Sequence, residues 1–252
     1  MPDILAAALE TEGLLWLALA VAVAGIVRGF SGFGSAMIIM PVAASVLSPV
    51  EAVICLVAAE ILGPVPNLRT AWRAGDPGDV ARLLMGAFLA LPVGIWFLSR
   101  VEPEVFGWII SALVICMLIL VISGWRYRGR LTRRLTLVTG GVGGFMTGFA
   151  AIPGPPVIML YMASQLPAAT VRANLMLYLF GIDLLLFPVL WVLGHMIWPA
   201  FALGLLLGLL NAAGNVIGGW LFDPKAERLF RAVAYLVIVT SAILGLPLWK
   251  EG

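Results

Sequence analysis

Gly29-Phe30-Ser31-Gly32-Phe33-Gly34 interrupts an apolar stretch that resumes at once and runs into Pro41. At the midpoint of the chain Gly144-Phe145-Met146-Thr147-Gly148-Phe149 leads into Ala150-Ala151-Ile152-Pro153-Gly154-Pro155-Pro156 and a further apolar run. Both blocks place helix-breaking residues inside sequence hydrophobic enough for a bilayer. A pair of such interruptions at corresponding positions of two halves is the sequence pattern of a transporter whose binding site is built from broken helices.

Working outward, 62% of the 252 residues are apolar and 11% are charged, with a mean hydropathy of +1.09. A soluble domain is about half apolar and a quarter charged, so the composition predicts a membrane protein. At ~20 residues per span the length allows roughly eight to ten segments. Apolar runs fall at about 13–30, 34–48, 50–66, 82–99, 104–124, 135–150, 154–165, 171–193, 197–221 and 226–247. The runs at 34–48 and 154–165 are short for a crossing and are expected as half-helices, tilted spans or re-entrant pieces. No Lys or Arg precedes Arg28, so residues 14–27 are expected to be a retained span and not a cleaved signal.

The second half repeats the first. Gly29-Phe30 matches Gly144-Phe145 and Pro41 matches Pro156, while Gly94-Ile95-Trp96 matches Gly218-Gly219-Trp220. The boundary is drawn between a first membrane repeat, 1–128, and a second, 129–252. The basic cluster Arg126, Arg128, Arg130, Arg133 and Arg134 is taken as cytoplasmic. Five crossings per repeat then put 13 of the 15 Lys and Arg inside, leaving Arg100 and Lys250 outside. Four crossings leave nine inside. The odd number inverts the second half relative to the first. The expected fold is an all-α polytopic membrane protein of two five-segment repeats in inverted topology, each starting with a broken or re-entrant helix. Glycines four apart, such as Gly25/Gly29, Gly140/Gly144, Gly204/Gly208 and Gly214/Gly218, predict close helix packing.

A broken helix exposes N–H groups that suit an anion without any basic side chain. Substrate contacts are therefore expected from Ser31, Gly32, Gly34 and Ser35 at the first break and from Thr147, Gly148, Ala151 and Gly154 at the second. Arg28 precedes the first break and either lends it positive charge or snorkels to the headgroups. Asn211 and Asn215 lie four apart on one helix face and must be bonded across helices or to a ligand. Asn174 and Gln165 fall nearer the membrane edge. Glu60 and Asp183, in the third apolar run of each half, are candidates for ion coupling, because a carboxylate inside a span is costly and tends to mark a pathway. Glu51 starts a span and reads as interfacial. The loop carrying Arg69, Arg73, Asp76, Asp79 and Arg82 reads as a solvated connection, and the tryptophans as interfacial belts.

Cys55 and Cys116 read as small buried hydrophobes, and the single His195, beside Gly194 at a helix end, cannot build a metal site. Neither a catalytic Ser/His/Asp set, an HExxH sequence nor a phosphate loop is present, so no enzyme, metal or cofactor is expected, and no nucleic-acid partner.

The motif Gly29 to Gly34 leading to Pro41, the loop Trp72-Arg73-Ala74-Gly75-Asp76 and the block Gly144 to Pro156 resemble the sulfite exporter TauE/SafE family of membrane permeases over essentially the whole chain. Members often carry a Gly-rich string in the second block, where this chain has Ala150 to Pro156. The resemblance implies transport of sulfite, sulfoacetate or other sulfonate-class anions. The expected function is a secondary transporter of a small sulfur-containing anion, ion-coupled, in the inner (cytoplasmic) membrane as a multi-pass protein, with a homodimer left open. A passive anion channel and a membrane subunit of a larger assembly are the alternatives.

Overall fold

The computed structural model describes residues 13–31, 34–123, 132–162, 166–221 and 227–249. Among them are 11 α-helices: α1 (Leu14–Ser31), α2 (Ser35–Val46), α3 (Pro49–Glu60), α4 (Leu68–Ala74), α5 (Pro77–Leu98), α6 (Pro103–Ile122), α7 (Arg133–Ala150), α8 (Gly154–Met162), α9 (Ala168–Val192), α10 (Trp198–Leu221) and α11 (Glu227–Leu244). No strand occurs among the described residues. Gly32, Phe33, the arginines at 126–130, Gln165 and the 128/129 boundary lie outside them.

Ten of these helices coincide with the ten apolar runs. The exception is α4, which occupies the segment expected to be a plain connection. The start of α5 also lies five residues earlier than the apolar run at 82, because Asp76 caps it. Its Oδ1 accepts from the N–H groups of Gly78 and Asp79 at 2.9 and 3.1 Å, and Pro77 follows at the first helical position.

Helices α5, α6, α9 (from Ala169) and α10 are long and apolar enough to cross a membrane. Their outward faces confirm the solvent: Trp108, Ile115, Ile119 and Ile122 of α6 are exposed, the inverse of a water-soluble surface. Cys116 lies on that exposed face, whereas Cys55 is buried in α3. At ~1.5 Å per residue, the 12-residue α2 and nine-residue α8 reach only about 18 and 14 Å. Neither covers a hydrocarbon core of about 30 Å.

The helices form two compact units that interleave the halves of the sequence. One contains α1, α2, α3, most of α6, α10 and α11; the other contains α4, α5, α7, α8 and α9. In the first unit α1 packs along α10, and in the second α5 packs along α7. Both seams are lined by glycine. A Cβ at Gly25 or Gly29 would strike the backbone of Asn211 or Asn215, and one at Gly214 or Gly218 the backbone of Ala22 or Ile26. In the other seam Gly86, Gly140, Gly144 and Gly148 meet the backbones of Leu137, Leu83, Ala87 and Leu91 in the same way. Small residues let these backbones touch, which is how helices gain packing energy where apolar burial gives no net drive.

Candidate functional site: two interrupted helices

In the first unit α1 ends at Ser31 and α2 starts at Ser35 with Gly34 as its cap. Gly34 has φ 94°, a left-handed conformation that glycine adopts without a Cβ penalty. No side chain caps α2, so the first-turn N–H groups of Ser35, Ala36 and Met37 have no partner within the helix. Their dipoles make this end electropositive. Arg28, in the last turn of α1, reaches the same end: its Nη1 lies 3.4 Å from Ser35 Oγ and 3.3 Å from Glu60 Oε1. The substrate candidate Arg28 and the coupling candidate Glu60 are thus one ion pair beside the break.

The rest of the unit holds this end in place. Ser241 of α11 donates to the carbonyl of Ile38, Gly245 abuts Pro41, and Ile238 covers Gly34. Phe30 and Phe230 hold their rings 5.1 Å apart. On α10, Asn211 is 2% exposed and its Nδ2 lacks a hydrogen-bond partner. The half-buried Asn215 lies one turn on, with its backbone against Gly29 and hence level with the end of α1. Glu51 instead closes a capping box, its Oε2 accepting from the N–H and hydroxyl of Ser48 at 3.0 and 2.6 Å.

In the second unit α7 ends at Ala150 and α8 begins at Gly154. Ala151 terminates α7 in the left-handed region, φ 52° and ψ 33°, which costs a residue with a Cβ about 1–2 kcal/mol. The two breaks are chemically unequal. Pro155 and Pro156 fall in the first turn of α8 and carry no N–H, so this helix start offers fewer donors than α2. Thr147 spends its hydroxyl proton on the carbonyl of Gly143 at 2.7 Å, and Gly148 faces the α5 seam.

Tyr178 of α9, not singled out in the sequence, lies against this break, and Asn174, expected nearer the membrane edge, sits on the same helix. Tyr178 is fully buried, with its hydroxyl over Gly143 and without a hydrogen-bond partner. Asn174, also fully buried, accepts from the Asp76 N–H at 2.6 Å. Tyr161 of α8 donates to Asp79 Oδ2 at 2.8 Å, and Arg82 holds Oδ1 at 3.2 Å. The loop expected to be solvated is therefore fastened to α8 and α9. Asp183, 8% exposed, lies farther along α9.

The family model described as sulfite exporter TauE/SafE matches residues 17–244. No curated protein and no solved structure matches the chain.

Proposed function

Because the chain belongs to the sulfite exporter TauE/SafE family, a family of membrane permeases, we propose that it is a secondary transporter of a small sulfur-containing anion. The substrate is of the sulfite or sulfonate class, and transport is ion-coupled and works by alternating access. The protein is a multi-pass component of the cytoplasmic membrane, with two inverted repeats of five segments whose first helices are interrupted.

One observation carries the anion preference: the uncapped α2 N-terminus, with Arg28 and Ser35 at its mouth. A helix start binds oxyanions through N–H groups and dipole together, and a guanidinium matches the geometry of such oxygens. Ser31, Gly32 and Gly34 belong to this contact by position, and Asn215 by its place against Gly29. Thr147, Gly148, Ala151 and Gly154 form the second, donor-poorer contact, and Asn211 adds an amide N–H. Glu60 and Asp183 are the coupling carboxylates. The interleaved helices support the inverted repeat: the first helix of each half packs on the penultimate long helix of the other.

The test is purified protein in liposomes, first by thermal shift against sulfite, sulfoacetate, taurine, sulfate and carboxylate analogues, then by counterflow. Saturable exchange accelerated by internal substrate supports the reading. Flux without exchange acceleration would make the protein a channel, and no anion response at all would remove the transport function.

A further inference from the structure

We propose that Tyr178 is an anion-binding residue, its phenol O–H donating to an oxygen of the sulfite- or sulfonate-class substrate at the α7–α8 break. This rests on the permease reading above and adds a contact that the glycine and hydroxyl pattern did not single out. Tyr178 is fully buried near the middle of α9, yet its hydroxyl has no hydrogen-bond partner. Buried polar groups are almost always bonded, and an orphan calls for a missing water, ion or ligand. In a membrane segment the penalty is sharper, because no bulk water is at hand.

Gly143 places the phenol oxygen against the interrupted segment. A Cβ built on Gly143 of α7 would collide with that oxygen, and the same Cβ would lie 3.5 Å from the Pro153 carbonyl oxygen in the α7–α8 connection. The side chain thus lies against the interrupted segment, and the missing Cβ leaves the hydroxyl its room. The position also lacks donors. Pro155 and Pro156 have removed two first-turn N–H groups from α8, and Thr147 has turned its proton back to Gly143. An unspent phenol proton is the complement that an oxyanion needs here.

Tyr178→Phe removes one oxygen and keeps the ring, so it separates the two roles the hydroxyl can have. If the hydroxyl serves only packing, the variant keeps its anion affinity and unfolds at the same or a higher temperature, since an orphaned polar atom is gone. If it binds the anion, sulfite and sulfoacetate affinities measured by calorimetry, and the KM of exchange, weaken by about ten- to a hundredfold, the range of hydrogen bonds to charged groups. Gly143→Ala gives the second readout. Its Cβ displaces the phenol oxygen and should weaken binding in the wild-type background, with little added effect once Tyr178 is Phe. Unchanged affinity in Tyr178→Phe, or additive losses in the double variant, overturns the assignment. A wild-type protein that binds none of these anions would instead sink the permease reading, and the Tyr178 contact with it.

Discussion

Arg28 Nη1 lies 3.3 Å from Glu60 Oε1, joining the last turn of α1 to the last residue of α3 beside the first helix break. Both side chains are largely covered, at 20% and 16% exposure, and Oε1 has no aligned hydrogen-bond donor. The pair is therefore held by charge. Covering a charge together with its partner costs less than covering it alone, and the arrangement leaves the guanidinium available to a competing anion.

Removing one member should cost more than removing both. Glu60→Leu leaves an uncompensated cation, and a loss of about 1–3 kcal/mol is expected, below the fully buried limit because the pair retains some exposure. Arg28→Leu combined with Glu60→Leu should recover most of that stability and still fail to transport, because the anion contact is gone. Thermal unfolding in detergent and liposome uptake measure the two effects. Transport by the double variant would remove Arg28 from the substrate contact.

Gly34 is conformationally committed. At φ 94° any residue with a Cβ is strained, and the Cβ would lie 3.2 Å from Ile238 Cδ1. Gly34→Ala should cost about 1–2 kcal/mol, and Gly34→Leu should abolish uptake while the protein still inserts. Ala151→Gly is the converse case. It relieves a left-handed alanine, and the gain in strain is partly offset by glycine's entropy, so an unchanged or slightly raised unfolding temperature is expected. A clear fall in Ala151→Gly would contradict the strain.

Coupling can be assigned by neutralising each carboxylate in turn. Glu60 is paired with Arg28 at 3.3 Å, whereas Asp183 lies in the middle of α9 at 8% exposure. Asp183→Asn should keep equilibrium exchange and lose the response to a pH gradient, and Glu60→Gln should retain part of that response. Full gradient-driven uptake in both variants would exclude proton coupling through either group.

The apolar runs located ten helices because membrane burial writes itself as continuous hydrophobicity. What they concealed was polar and long-range. Helix α4 is seven residues long and carries two arginines, too short and too charged for a run to register. The bonds from Asp76 to Asn174 and from Tyr161 to Asp79 join residues 98 and 82 apart, and no local pattern encodes such a separation. The start of α5 was written in Asp76-Pro77, an N-cap followed by Pro at the first position, but charges in its first turn hid it from a hydropathy reading. Similarly, the donor-poor second break was legible in Pro155-Pro156. The buried, unbonded hydroxyl of Tyr178 could only emerge once Gly143 was seen beneath it.

The fastening of the α4–α5 loop yields the last prediction. Helix α8 has nine residues, too few to be stable alone, so its order depends on what it is tied to. Tyr161, 1% exposed, reaches Asp79 at 2.8 Å, and Asp79 in turn holds Arg82 at 3.2 Å. Tyr161→Phe removes one hydrogen bond to a charged acceptor, and a loss of about 1.5–3 kcal/mol is expected. Arg82→Ala breaks only a partly exposed pair within one helical turn and should cost about 0.5 kcal/mol or less. Asp79→Ala, which takes both partners' acceptor away, should be the most damaging of the three. Hydrogen exchange at the α8 amides reads the local consequence. Exchange should accelerate in Tyr161→Phe and Asp79→Ala and stay near wild type in Arg82→Ala. If Tyr161→Phe leaves α8 as protected as before, the helix is ordered by packing alone and the Asp79 tie is incidental.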